Sequence, residues 1–314
     1  MRTEKQNTKW TKVNNPDTQC RLKGDFLLSL ILCAAIFLFP ACTKNAASIP
    51  EGSKTVTFQV TNYVQYELEE GTRSTPVASS SALQHLALGV FDASTDKMVG
   101  SMQVQKRGDE GYGSFTVTLP YGNYRLVFLG YSGNKVCTMD SPSRIYFGDN
   151  YIPQTFLCAQ ELTVNAETTS KADITLRRAV SGFQLHMEDA IPADAVSFRC
   201  KATGGGNVLD SKTGLAVSVT GKESTVSIPE SAHGQTDKKI TIYLFLTSDP
   251  ESVDFEVSAL DSEGGVIASR RFTDVPMSVN KLTVYKGSFF STDKPWGFDI
   301  KVEEEWGETV ENAF

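Results

Sequence analysis

Val56-Thr-Phe-Gln-Val-Thr-Asn-Tyr-Val-Gln-Tyr-Glu-Leu68 decides the fold class of this chain. Its even positions read Val56, Phe58, Val60, Asn62, Val64, Tyr66 and Leu68; its odd positions read Thr57, Gln59, Thr61, Tyr63, Gln65 and Glu67. Successive side chains of a β-strand point to opposite faces, so this period of two predicts one long strand. The even face is expected against a core and the odd face toward water.

On the C-terminal side, Glu69 to Ser81 (EEGTRSTPVASSS) breaks the alternation with Gly71, Pro76 and a serine run. It reads as a loop whose only basic residue is Arg73. Short apolar runs then recur between Gly, Pro, Asp and Ser turns. In the first half they are Leu83–Phe91, Met98–Gln105, Ser114–Pro120 and Tyr124–Gly130. Later ones include Lys171–Arg178, Gly182–Met187, Ala195–Lys201, Ile240–Leu246, Val253–Leu260, Val266–Phe272, Lys281–Tyr285 and Asp299–Glu303. Nothing in the first half reads as a long amphipathic helix. The pattern predicts an all-β chain of antiparallel sandwiches. Thr116-Val-Thr-Leu-Pro120 is echoed by Thr225-Val-Ser-Ile-Pro229, and each is followed by a turn and an apolar strand. Five residues fit either two related domains or coincidence.

On the N-terminal side, Thr43 to Ser53 (TKNAASIPEGS) has the small, polar composition of a flexible tether. Before it, Phe26-Leu-Leu-Ser-Leu-Ile-Leu-Cys-Ala-Ala-Ile-Phe-Leu-Phe39 follows Lys9, Lys12, Arg21 and Lys23, as a secretory apolar region follows its basic segment. Such a run is shorter than the roughly 20 residues a spanning helix needs. Residues 1–41 are therefore expected to be removed. Pro40-Ala41-Cys42 resembles the lipobox of bacterial lipoproteins, which implies a mature chain that begins at a lipidated Cys42; a plain signal peptide or an uncleaved anchor are the other readings.

Removing 1–41 takes six of the 30 basic and three of the 37 acidic residues, leaving 24 and 34, so the formal net charge falls from −7 to −10. With no basic cluster longer than a pair, such a chain repels phosphate backbones, and nucleic acid is excluded as a partner. The mature length of about 270 residues suits two domains, expected at 54–162 and 163–314 with the boundary near Gln160–Asn165. Besides Cys42, the mature cysteines are Cys137, Cys158 and Cys200, an odd set that allows at most one disulfide among the three and reads as buried free thiols.

No enzyme chemistry stands out. His85, His186 and His233 are far apart and form no close ligand pair, so neither a metal nor another cofactor is expected. Gly130-Tyr-Ser-Gly133 lacks the spacing of a nucleophile elbow. Gly204-Gly-Gly206 has no Lys-Ser/Thr after it, so it reads as a loop. Asp92/Asp96 and Asp261/Glu263 have the positions of turn residues. Trp296, Trp306, Phe289, Phe290 and Phe298 make the C-terminal region aromatic, which fits core packing, cover for a neighbouring subunit or a glycan platform.

With these strands in place, the chain resembles the fimbrial anchor and fimbrillin proteins of Bacteroides-group bacteria, the FimB/Mfa-like superfamily. The matching residues are Cys42 with its tether, the opening strand with Gly71-Thr-Arg-Ser74, Leu88-Gly-Val-Phe-Asp92, and Phe115-Thr-Val-Thr-Leu-Pro-Tyr-Gly-Asn-Tyr124. Leu176-Arg-Arg-Ala179 and Asn280-Lys-Leu-Thr-Val-Tyr-Lys-Gly-Ser-Phe-Phe290 complete the set. The resemblance implies two tandem transthyretin-like β-sandwiches and a lipid-anchored anchor or accessory subunit of the outer membrane and cell surface. Its partners would be fimbrial stalk or accessory subunits joined by β-strand complementation. The alternative, ranked behind the anchor role, is a stalk or tip subunit cut after Arg73 and completed by donor-strand exchange. A glycan-binding outer-membrane lipoprotein is a further alternative from a different class.

Overall fold

The computed structural model describes residues 52–68, 71–76, 83–291, 298–303 and 306. Cys42 and the expected signal peptide lie outside the described residues. Among those described, regular structure is almost wholly β, with only single 3-10 turns at Gly148–Asn150 and Glu230–Ala232.

The N-terminal strands are β1 (Ser53–Leu68), β2 (Gly71–Pro76), β3 (His85–Asp92), β4 (Gln103–Lys106), β5 (Ser114–Pro120) and β6 (Gly122–Tyr131). They continue with β7 (Cys137–Ser141), β8 (Arg144–Phe147), β9 (Thr155–Val164) and β10 (Lys171–Arg178). One sheet runs β2-β1-β10-β9-β6-β3-β4, with β5 also paired to β1. β10 and β9 meet only at Arg177↔Leu157 and Arg178↔Phe156, so the sheet folds over at that corner into two layers. Between the layers lies a core of Val56, Phe58, Leu86, Leu88, Phe115, Leu126, Phe128, Phe156, Ile174 and Leu176.

The alternation of β1 holds as expected through Val60 and then shifts. Val60 pairs with Ile174 and Asn62 with Thr175, which leaves Thr61 as an extra residue, a β-bulge. One inserted residue moves the following side chains to the other face. Tyr63, expected outward, is consequently fully buried and meets Phe156 edge-on at 4.9 Å. The loop expected over Glu69–Ser81 is also corrected: residues 71–76 form β2, whose hairpin ladder with β1 runs from Asn62↔Pro76 to Leu68↔Gly71. Cross-strand pairing overrides the Gly and Pro signals there.

The C-terminal strands are β11 (Ser181–Met187), β12 (Ser197–Ala202), β13 (Val208–Asp210), β14 (Leu215–Ala216) and β15 (Lys222–Ser227). They continue with β16 (Lys238–Leu244), β17 (Glu251–Leu260), β18 (Val266–Met277), β19 (Leu282–Gly287) and β20 (Asp299–Glu303). Sheet β16-β11-β19-β20 faces sheet β15-β12-β17-β18. Phe183, Phe198, Phe255, Val257 and Phe272 fill the space between them. Phe183 stacks on Phe255 at 4.1 Å.

Sheet β14-β13-β8-β7 takes two strands from each side of residue 162, and β10 closes the first sheet although it follows that residue. The expected division into 54–162 and 163–314 therefore does not separate the sheets. A second core joins these parts. It contains Ala87, Val127, Leu129 and Tyr131 from the outer face of β3 and β6, Met139 and Ile145 from β7 and β8, and Leu209, Tyr243, Phe245, Leu282 and Trp306. β6 is thus covered on both faces, which explains its unbroken apolar run Leu126-Val-Phe-Leu129.

The two echoed segments do not take equivalent places: β5 pairs with β1, whereas β15 pairs with β12. What the two halves share is parallel closure, β1 with β10 and β11 with β19.

Candidate functional site: the groove of the first strand

β1 enters the fold at Gly52, where φ is +108° and an added Cβ would lie 2.4 Å from the Tyr121 ring. Only glycine combines that backbone with that approach. From there β1 runs between two neighbours. Ser53–Gln59 pair antiparallel with β5, Thr57–Val64 pair parallel with β10, and β2 takes over the edge from Asn62 onward. On the core face Val56, Phe58, Val60 and Tyr63 are buried. On the outer face Thr55 and Thr57 share hydroxyl hydrogen bonds with Thr118 and Thr116 at 2.8 and 2.9 Å.

This is a strand slot with ladder bonds on both walls and apolar pockets on its floor. Burying one Val or Phe side chain is worth about 1.5–3 kcal/mol. Four large side chains on that face therefore approach the net stability of an ordinary domain, about 5–15 kcal/mol. Such a slot is costly to leave empty, and here β1 fills it.

Arg73 stands opposite Tyr66 in β2, within a paired strand and not in an open loop; its side chain is not described. A protease needs several residues of extended, accessible backbone, so cleavage after Arg73 requires this hairpin to open first.

The far end of the slot carries a group that sequence reading missed. Arg178, at the end of β10, is 3% exposed. Its guanidinium lies 4.1 Å from the Trp306 ring centre and 5.0 Å from that of Phe156. Its Nη1 donates to the Trp306 carbonyl at 2.8 Å and to Asn280 Oδ1 at 3.1 Å. Burial pulls its pKa down to about 10, so it stays charged at neutral pH. The doublet Arg177-Arg178 is visible in the sequence, but only the alternation of β10 reveals that the second arginine faces inward.

The remaining candidates take structural places. Trp306 (1% exposed) and Phe289 are core residues, and Phe290 and Phe298 pack partly buried against a core. They form no exposed platform, and Trp296 lies outside the described residues. The Asp189 carboxylate accepts the main-chain N–H groups of Phe289, Phe290 and Ser291 at 2.6–2.9 Å, which holds this aromatic turn in place. His85 stacks on Tyr131 at 5.1 Å, His186 faces Asp237 at 3.3 Å, and His233 Nε2 meets the Ala195 carbonyl at 2.9 Å. Burial lowers the pKa of both His85 and His186.

Asp92 accepts from Ser94 and Thr95, which lowers its pKa to about 2, and Asp261 accepts from the Glu263 and Gly265 N–H groups. These are turn bonds. Gly206 sits 2.3 Å from Ser218 O at its notional Cβ, so the glycine triplet allows close backbone approach. Among the described residues no group of three or more His, Cys, Asp or Glu could hold a metal ion.

Cys137, Cys158 and Cys200 are free thiols, the first and last buried. Burial pushes Cys137 up to about 11 and Cys200 to about 12. Since the thiolate is the reactive species, a maleimide or disulfide reagent at pH 8 is expected to leave Cys137 and Cys200 unmodified in the native chain and to label them on unfolding. Peptide mapping checks this; native labelling as fast as in urea would contradict the packing described.

A family model described as "Family of unknown function (DUF6562)" matches residues 139–313. No curated protein matches the chain. Among solved structures, a candidate adhesin from Bacteroides ovatus aligns over 71% of this chain and 83% of its own, at 12% identity and TM-score 0.45. The C-terminally truncated tip fimbrial protein Mfa3 from Porphyromonas gingivalis aligns over 79% and 98%, at 13% identity and TM-score 0.37. A fimbrial assembly protein from Parabacteroides distasonis aligns over 80% and 99%, at 11% identity and TM-score 0.39.

Proposed function

The chain belongs to the family of unknown function DUF6562, and we propose that it is a cell-surface fimbrial subunit with a role in adhesion, held at the outer membrane as an anchor or accessory component through a lipidated Cys42. The observation that carries this reading is the first strand. It is the longest strand among the described residues, it is paired on both sides, and the sequence places Cys42 eleven residues before its first residue.

In the anchor role β1 fills its own slot, so that pulling on the fibre loads a strand hydrogen-bonded along both edges. Partner subunits join by β-strand complementation, in which main-chain bonds supply affinity and alternating side chains set register. The second reading is a polymerising stalk or tip subunit. It is favoured by the position of Arg73 in the hairpin that follows β1, since a cut there frees β1 and opens the facing edges of β5 and β10.

Intact-mass analysis of the protein from its native outer membrane, with mapping of the N-terminal peptide, separates the two. An acylated Cys42 still joined through an uncut Arg73–Ser74 bond is the result expected. A chain that begins at Ser74 would overturn the anchor role in favour of the polymerising one.

A further inference from the structure

β20 is the terminal strand of its sheet, and among the described residues no strand pairs with its outer edge. Such an edge presents a row of unpaired N–H and C=O groups, which natural sheets blunt with bulges, proline, charge or cover. The other terminal strands of the C-terminal sandwich carry more than charge alone. β18 contains Pro276, and its ladder with β17 shifts register twice. β15 and β16 are tied together by the buried Lys222, whose Nζ donates to the Tyr243 carbonyl at 3.2 Å. β20 has no proline, and its five pairs with β19 run from Leu282↔Glu303 to Lys286↔Asp299 without a shift.

The two faces of β20 differ. Ile300 and Val302 stand opposite Tyr285 and Thr283, both buried, yet they are themselves 57% and 40% exposed. The inner face of this sheet therefore continues as apolar surface past its own cover. Phe298, just before β20, still packs on Phe272 of the facing sheet at 5.0 Å. The other face carries Asp299, Lys301 and Glu303. Lys301 is 74% exposed and meets Glu303 at 3.5 Å, a surface contact of little strength that leaves its ammonium able to take another partner.

We propose that the edge of β20 pairs antiparallel with the same edge of a second copy of this chain, about a two-fold axis at Ile300, so that two four-stranded sheets become one. Residues directly opposite in an antiparallel pair share a face, and a two-fold contact makes every pairing reciprocal. With the axis at Ile300, that residue meets its own equivalent, Phe298 meets Val302, and Asp299 meets Lys301, the last two pairings each occurring twice. Apolar residues then cover one another on one face while opposite charges match on the other. The neighbouring registers lack this match. An axis at Lys301 sets lysine against lysine and Asp299 against Glu303, and one at Val302 sets Ile300 against the acidic Glu304 of the sequence. A ladder this short makes a small interface, so the dimer is weak and forms with rising concentration. Neither β1 nor Arg73 takes part, so this contact is independent of the fimbrial reading.

The test is sedimentation velocity of the purified full-length chain, in excess detergent, over a rising series of protein concentrations. A monomer that gives way to a dimer is expected. Lys301→Glu alters one exposed side chain and sets two acidic pairs where two complementary ones stood, so it should raise the dissociation constant about tenfold. Register is read separately by cross-linking with copper phenanthroline as the oxidant. Ile300→Cys brings two thiols together across the axis and should yield a disulfide-linked dimer above the level of the unsubstituted chain. Lys301→Cys, whose side chain lies on the other face opposite Asp299, should not. The proposal is overturned by association that Lys301→Glu leaves unchanged, or by equal cross-linking at the two positions. A chain that stays monomeric throughout overturns it too, and would mean that Lys301 keeps this edge closed or that the edge serves a different chain.

Discussion

Phe58→Ala is expected to destabilise the N-terminal sandwich by about 3–5 kcal/mol, the usual cost of removing a buried phenylalanine. The side chain is 1% exposed, and its ring meets Phe128 edge-on at 5.3 Å. Its backbone is held from both sides, opposite Phe115 in β5 and Ala172 in β10, so the neighbouring chain cannot collapse into the space. Little relaxation means a large cavity term. Thr57→Val, one residue away on the outer face, loses only an exposed hydroxyl pair and should stay within about 0.5 kcal/mol. Urea unfolding monitored by a probe in the first sheet checks both. A Phe58→Ala loss below about 1 kcal/mol would mean that β1 does not form part of the core. The experiment also measures what a replacing strand must match, since that strand would have to supply an equivalent anchor at the position of Phe58.

Arg178→Ala is expected to cost about 3 kcal/mol or more and to release the segment around Trp306. The substitution removes a guanidinium packed on two aromatic rings and leaves the buried Trp306 carbonyl without the 2.8 Å bond from Arg178. An abandoned buried acceptor costs about 1–3 kcal/mol, and the cavity adds to it. Arg178→Lys should recover only part, because an ammonium can donate to the freed acceptors but has no planar face to lie along the indole. Hydrogen-exchange mass spectrometry of peptides covering β20 and Trp306 provides the local readout. Exchange that is unchanged in Arg178→Ala, with an unchanged unfolding midpoint, would show that the clamp is dispensable.

Both substitutions fall on residues that the sequence exposes to different degrees. Phe58 is legible at once, because Val56, Phe58 and Val60 alternate cleanly with Thr57 and Gln59. Tyr63 is not. It falls on the polar face of the simple alternation, and the bulge at Thr61 that brings it inward is specified by the pairing with β10, more than a hundred residues away. β2 was hidden for a similar reason. Gly71-Thr-Arg-Ser-Thr-Pro76 has the composition of a loop, and it is a strand because the end of β1 offers an unpaired edge beside it. Among the aromatic residues of the C-terminal turn, composition allowed burial or display, and the fold chose burial for Phe289 and Trp306.

What the sequence determined by itself is local: an all-β chain, the length and inward face of its opening strand as far as Val60, the turn roles of Asp92 and Asp261, and a run before Cys42 with the composition of a secretory segment. These follow from side-chain periodicity and turn chemistry, which act over a few residues. The tertiary structure alone decided how the strands share sheets: the parallel closure of β1 by β10, the sheet built from β7, β8, β13 and β14, the inward turn of Arg178 onto Trp306, and the bond from Lys222 of β15 to the Tyr243 carbonyl of β16. These depend on contacts between segments far apart in the chain. The strands concerned are as short as two residues, too short for their own pattern to name a partner, so the choice falls to the burial and hydrogen bonding of the whole.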